Sequence, residues 1–276
     1  MFKNRDINVE NDFGNEWKAF DQNNLNNKES HELFFNYFEI FPFDSINKNS
    51  EGFDMGCGSG RWAKQIAPNV KILNCLDPSI KALEVAKKNL LKNKNCKYLN
   101  ESVTDNSIKN NSQDFGYCLG VLHHIPDTQE GLNSCVKKLK TGAPFLLYLY
   151  YRFDNKPKWF KFIWTISDFL RKLISKSPFK IKLLITTLIA ITVYLPLART
   201  SLLLSKMGFD ISNFPISFYS RSSLYTMKTD ALDRFGTRLE HRFTKIEIVN
   251  MMEKSGLTNI KFSEKTPYWV AVGEKK

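Results

Sequence analysis

The sequence predicts an α/β fold: a doubly wound, mostly parallel seven-stranded sheet with a helical insertion after the fifth strand. Three observations predict it. Short apolar runs alternate with helical patterns from Glu51 to Tyr151. The alternation lapses at Arg152 and resumes near Phe243. The first strand ends in Asp54 and breaks into glycines at alternate positions, Gly56, Gly58 and Gly60.

Taken in order, residues 1–28 are polar and rich in Asn, with no apolar segment of the kind a secretory signal requires. They read as a loose arm whose aromatics, Phe13, Trp17 and Phe20, tuck against the body of the fold. Residues 29–151 form the α/β core. Glu29–Phe41 is a helix with Leu33, Phe34, Tyr37 and Phe38 on one face and Pro42 as its stop. Strands are predicted at 53–55, 70–76, 96–99, 115–119 and 145–151. Ile80, Leu83, Ala86 and Leu90 recur at helical spacing, with Pro78 suited to a first turn. Asp127 and Glu130 form a capping box for a helix through Leu139, with Gly142 as its C-cap. In residues 243–276, Thr244 and Glu247 form a second capping box. Ile248, Met251 and Met252 supply an apolar face, Gly256 ends the helix, and strands follow at 257–262 and 268–272.

The 276 residues are 42% apolar, enough for one large domain carrying a sizeable insertion. A formal charge of +12 favours anionic partners: nucleic acid, phospholipid headgroups or phosphorylated compounds. The five cysteines are widely spaced without a CxxC pair, which argues against a disulfide framework and against a zinc site. Reduced thiols fit a cytoplasmic location, and no metal site is expected.

The chemistry lies in Glu51–Ala63. A strand ending in an acid, three alternate glycines and then a helix make a nucleotide-cofactor loop, because glycine admits positive φ and lets backbone approach a ligand. The helix start adds free N–H groups. The dehydrogenase spacing G-x-G-x-x-G would need glycine at position 61, where this chain has Arg61. Asp77 ends the second strand, 23 residues after Asp54, and an acid there can accept hydrogen bonds from ribose hydroxyls. Its competing reading is a capping acid for the helix that follows.

The D-x-G-x-G-x-G spacing, Asp77, and the stretch Asn111–Asp127 with its fourth strand followed by Leu122-His123-His124 together resemble class I S-adenosylmethionine (SAM) methyltransferases of the type 11 group. The resemblance covers about Glu29–Tyr151 plus Phe243–Val272 and implies a Rossmann-like fold with SAM as cofactor. It assigns Gly56, Gly58 and Gly60 to the methionine portion of SAM, Asp54 to ordering the loop and Asp77 to the ribose. Ser102 and Val103 would face the adenine, with Asp105 as an alternative because this turn departs from the family's Asp-Ala pair. Leu119 and Gly120 would border the methyl group. His123 and His124 are the catalytic candidates. In-line transfer from a sulfonium needs mainly positioning, and a base only if the acceptor must lose a proton, so each histidine also reads as packing or capping the next helix. His241 is a further candidate; His31 reads as surface.

Residues 152–242 are the insertion. Arg152–Lys206 holds eleven basic residues against Asp154 and Asp168, interleaved with Trp159, Phe160, Phe162, Trp164 and Phe169. Three readings stay open: a helix at a membrane surface, an RNA-binding face, or a lid whose own core is Trp159, Phe162, Ile163, Ile166 and Phe169. Leu183–Ala198 carries no charge but falls short of the ~20 residues a spanning helix needs, so it reads as buried or half-inserted. Polar residues in Ser220–Arg238 are the expected acceptor contacts. The Asp233–Thr237 run resembles a subgroup associated with glycan and lipid-linked sugar assembly. The resulting expectation is methyl transfer to a small-molecule, saccharide or lipid-linked acceptor, by a cytoplasmic protein peripheral on the membrane. The alternatives are an RNA methyltransferase and a SAM-binding module without turnover.

Overall fold

Short runs of four or five residues pair as the parallel strands β1 (Glu51–Met55), β2 (Ile72–Leu76), β3 (Cys96–Leu99), β4 (Phe115–Leu119) and β5 (Pro144–Tyr148) in a computed structural model that describes residues 4–276, with β4 buried throughout and the edge strand β3 partly exposed. With β6 (Leu257–Phe262) and β7 (Val270–Lys275) they form one seven-stranded sheet of order β3-β2-β1-β4-β5-β7-β6. Only β7 runs against its neighbours, β5 and β6. This is the doubly wound, mostly parallel sheet that the sequence predicts. The order reverses between β1 and β4, the crevice at which such sheets bind ligands beyond the carboxyl ends of their strands.

The helices are α1 (Ile7–Ala19), α2 (Asn27–Phe38), the single turn α3 (Ala63–Ile66), α4 (Ile80–Asn89), α5 (Thr128–Lys138), α6 (Lys158–Ile174), α7 (Phe179–Ile189), α8 (Leu195–Lys206), α9 (Leu224–Gly236) and α10 (Lys245–Lys254). One face of the sheet packs on Phe34, Phe38, Trp62, Ile66 and Leu83; the other packs on Leu132, Val136, Ile248 and Met252. The chain divides into two compact units. The α/β unit comprises the chain up to Gln22, Ser30–Arg152 and Leu239–Lys276; the helical unit comprises Asn23–Glu29 and Phe153–Arg238.

Several boundaries differ from expectation. Val70 closes a 3₁₀ turn on Ala67, so β2 starts at Ile72. β5 ends at Tyr148, and Tyr151 makes an isolated bridge with Phe243 instead. Ser79 occupies the N-cap position of α4, leaving Pro78 outside the helix. Leu139 turns extended after α5, so Gly142 serves the turn into β5 and caps nothing. Thr244 and Glu247 form the complete reciprocal box, whereas Asp127 caps α5 from one side only.

The loose arm is a correction. Residues 7–19 are helix α1, capped by Asp6, whose carboxylate accepts from Asn8 N at 2.9 Å and Val9 N at 3.2 Å. Val9, Phe13 and Trp17 are spaced by four, a helical signal that the Asn-rich composition hides. The helix packs along α4. A Cβ on Gly14 would lie 2.2 Å from Ser79 Oγ, and Lys81 Nζ donates to Asn15 Oδ1 at 2.7 Å.

In the helical unit, α9 is central and has no exposed residue. Its Met227, Ala231 and Phe235 pack on Ala190, Tyr194 and Ala198. Glu29 Oε1 accepts from Ser223 N at 2.8 Å and from Thr226 Oγ1 at 2.7 Å, fixing the start of α9. A π-helical turn, Ala190–Tyr194, joins α7 to α8 without a break. The lid-core reading fails here: Trp159, Phe162, Ile163, Ile166 and Phe169 are all exposed. The inward face of α6 is polar instead. Arg171 pairs with Asp168 at 2.7 Å and donates to the Thr237 carbonyl at 2.9 Å, and Arg234 donates to Ser167 Oγ at 3.1 Å. The polar groups of Ser220–Arg238, expected as acceptor contacts, form many of these internal bonds.

Candidate cofactor and acceptor site

The glycine loop follows β1 directly. Gly56, Gly58 and Gly60 have φ of +79°, +52° and +76°, left-handed values at which a side chain is strained. Space is as limiting as conformation: a Cβ on Gly56 would meet Val121 at 2.4 Å, and one on Gly58 would meet the Trp17 indole at 2.8 Å. Gly56 N and Cys57 N donate to the Leu76 carbonyl at 2.7 and 2.9 Å, which fastens the loop to the end of β2.

Asp77 completes that fastening. Its Oδ2 accepts from Gly58 N at 3.0 Å and its Oδ1 from Ser79 N at 2.9 Å, so one carboxylate joins the loops after β1 and β2. The capping and cofactor readings of Asp77 are therefore compatible, since each oxygen retains a lone pair for a further donor. Burial pushes the Asp77 carboxyl up to about 6, against the pull of the Ser79 and Gly58 N–H groups. Asp54 lies deeper, 1% exposed, and its Oδ2 has no hydrogen-bond partner. Burial pushes its pKa up to about 8; the neighbouring Tyr117 hydroxyl opposes the rise and Asp77 adds to it. The Ser59 hydroxyl is also buried without a partner. Buried polar groups left unpaired cost ~1–3 kcal/mol each. A pair of them beside a backbone cradle with no room for a Cβ fits a polar, cationic ligand such as SAM.

The turn after β3 is rigid. Ser102 Oγ accepts from Asp105 N at 3.1 Å, and the Val103 carbonyl accepts from Ser134 Oγ at 2.7 Å and Asn106 Nδ2 at 2.8 Å. Asp105 thus acts here through its backbone. Asn106 was not anticipated: its Oδ1 is buried without a partner, an acceptor suited to an adenine amino group. Asn100, also unanticipated, donates to the Asp77 and Pro78 carbonyls at 3.1 and 2.9 Å and so joins this turn to the one after β2. Leu119 is buried at the end of β4, and Gly120, at φ +79°, donates to the Tyr148 carbonyl at 3.2 Å.

His123 and His124 follow on a buried 3₁₀ turn, their rings 4.1 Å apart. His124 Nδ1 lies 2.8 Å from the Leu239 carbonyl, which can only accept, so Nδ1 carries the proton and Nε2 the lone pair. His123 has the opposite tautomer: its Nδ1 accepts from Tyr150 N at 3.3 Å, leaving Nε2 as a buried donor without a partner. Burial, reinforced by His124, Arg242 and His241, holds the His123 pKa well below its ordinary value and keeps the ring neutral. The ring stacks on Tyr150 at 3.9 Å, and its carbonyl accepts from His241 N at 2.9 Å. His241 is therefore brought to the pair, whereas His31 is exposed on α2. Helix α1 reaches both halves of the site: Phe13 lies 4.9 Å from the His124 ring, and Trp17 covers Gly58 and faces Arg61 at 5.5 Å. Among the described residues no cluster could hold a metal ion.

The fold and the glycine-loop site are those that the resemblance to class I methyltransferases, with SAM as cofactor, implies. Residues 53–147, from β1 into β5, match the family model described as a methyltransferase domain, about a third of the chain. The ubiquinone biosynthesis O-methyltransferases of Salmonella enteritidis PT4 and Salmonella newport are each 32% identical to this chain over 92 residues, 33% of this chain and 38% of theirs. The chain thus matches well under half the length of these curated relatives. An O-methyltransferase family protein from Burkholderia thailandensis has the same fold, with a TM-score of 0.53 at 12% identity, over 90% of this chain and 56% of that one.

Proposed function

We propose that this protein transfers a methyl group from SAM to a small-molecule acceptor, a lipid-linked saccharide presented at a membrane surface. The observation that carries the enzymatic reading is Asp77. It ties the glycine loop to the end of β2 beside the orphaned carboxylate of Asp54, at the edge of the sheet where the histidines also lie.

Bound there, SAM supplies an electrophilic methyl group on a sulfonium. Gly56–Gly60 would hold the methionine portion against backbone, Asp54 would face its ammonium, Asp77 would take the ribose hydroxyls, and Ser102, Val103 and Asn106 would line the adenine end. Leu119 and Gly120 would border the methyl group, and Phe13 and Trp17 on α1 would exclude water from the loop. His124 Nε2, with its lone pair, would accept the proton of an acceptor hydroxyl, while the neutral His123 would donate through Nε2 and position the acceptor. The saccharide assignment draws on the likeness of Asp233–Thr237 to enzymes of lipid-linked sugar assembly. The relatives named as O-methyltransferases favour oxygen as the attacked atom.

Incubating the protein with methyl-labelled SAM and whole-cell extract, then separating aqueous, lipid and RNA fractions, tests this. Label should enter the lipid fraction. Label in RNA would replace the reading with an RNA methyltransferase, and SAM binding with no label anywhere would leave a binding module.

A further inference from the structure

Soluble helices bury their apolar stripe and expose their polar one. Two elements of the helical unit expose a broad apolar face as well. Along the continuous α7–α8 helix the inward positions are Lys182, Thr186, Ala190, Tyr194, Ala198 and Ser201, all buried, while Leu184 is 61% and Leu188 52% exposed. On α6 and its C-cap the inward positions are Asp168, Arg171 and Ser175, while Phe162 is 67% and Phe169 63% exposed. Fifteen of the twenty large apolar side chains exposed among the described residues fall between Trp159 and Phe209. Scattered exposed apolar residues are ordinary; a concentration of this kind marks an interaction surface.

The charge around it selects the partner. Lys158, Lys161, Lys172, Lys176, Arg199 and Lys206 are exposed, and the one acid between Lys158 and Phe209, Asp168, is buried against Arg171. Long basic side chains can keep their charged ends at the headgroups while their stems lie along apolar surface. RNA would use the charge and leave the apolar face uncovered; an anionic lipid leaflet uses both.

The connectivity decides how deep the contact goes. Phe179–Lys206 is long and apolar enough to cross a bilayer, and it is the one such helix among the described residues. The insertion nevertheless leaves and rejoins the α/β unit through adjacent backbone: Arg152 N donates to Phe243 O and Phe243 N to Tyr150 O, both at 2.9 Å. Both ends therefore lie on one side of any membrane, so crossings must come in pairs, and a single spanning helix is excluded.

We infer that α6 and α7–α8 lie in the plane of one leaflet as a monotopic anchor, with their apolar faces among the acyl chains and their lysines at anionic headgroups. This deepens the membrane-surface reading and rests on it, but it is independent of methyl transfer.

The full-length protein is floated with phosphatidylcholine vesicles with and without phosphatidylglycerol, at low salt and at ~1 M salt, where the Debye length falls to about 3 Å. Binding should require phosphatidylglycerol for capture yet survive high salt. The double variant Leu184→Asp, Leu188→Asp should partition roughly a hundredfold less, with SAM binding retained as the check on folding. On the unaltered protein, lipids brominated on the acyl chain should quench Trp159 fluorescence. Release by high salt, undiminished binding of the double variant or absent quenching would overturn the inference. So would a stable dimer in solution abolished by the same substitutions, which would make a second copy the occupant.

Discussion

Cofactor affinity should depend on pH through Asp54. Its folded pKa of about 8 lies far above the ordinary carboxyl value because burial disfavours the charge. A raised folded pKa means that the native protein binds the proton more tightly than the unfolded chain does. The associated stability is fully present below about pH 4 and is lost as pH rises through 8, at up to ~1.4 kcal/mol per unit. A cofactor ammonium beside Asp54 reverses the preference and favours the carboxylate, so binding near pH 7 should release about one proton. Affinity for S-adenosylhomocysteine should then rise up to about tenfold per pH unit between pH 6 and 8. Asp54→Asn should remove that slope and raise the melting temperature of the ligand-free protein at pH 8 more than at pH 5. Calorimetry in buffers of different ionisation enthalpy counts the proton directly. Comparison with the variant cancels the titration of the cofactor's own amine, which falls near pH 8 as for any α-amino group. Equal slopes in the two proteins, or proton uptake on binding, would refute the assignment of Asp54 to the cofactor.

Three further outcomes are expected. Gly58→Val should abolish SAM binding and displace Trp17, because its Cβ falls 2.8 Å from the indole at a left-handed φ; calorimetry and tryptophan fluorescence read both effects. His124→Ala should cut turnover about a hundredfold with SAM affinity intact, and normal turnover would leave it a packing residue held to the Leu239 carbonyl. Thr244→Ala breaks the reciprocal box in which Glu247 Oε2 accepts from Thr244 N at 2.7 Å, and should cost ~1 kcal/mol in chemical denaturation; an unchanged midpoint would show the cap to be immaterial.

The parts of the fold legible in the sequence are those whose signals are local. Asp54 with three alternate glycines names a cofactor turn, and Thr244 with Glu247 names a helix start, because neighbouring residues suffice to satisfy them. Helix α1 stayed hidden because its apolar stripe is narrow and its stability comes from packing on α4 and the glycine loop. The tautomers of His123 and His124 were likewise out of reach, since they are set by Tyr150 N and the Leu239 carbonyl, the latter more than a hundred residues away. The facing of the α6 aromatics stays open in the sequence because periodicity reports that a helix is two-faced, not which face its neighbours cover. Here the covering face is chosen by Arg171, Asp168 and Arg234 meeting the end of α9.

The backbone bonds among Tyr150, Arg152 and Phe243 have a consequence for modularity. They close the insertion at its root, so the strand edge meets a stub of fixed geometry whatever lies between. Closing a loop of roughly 90 residues in place of one of about 6 differs by only about 2 kcal/mol of chain entropy. A short turn in place of the helical unit should therefore leave that root joined. By the same reasoning, helical cassettes of quite different length and surface could be grafted at this point, giving one methyl-transfer domain access to acceptors in different phases.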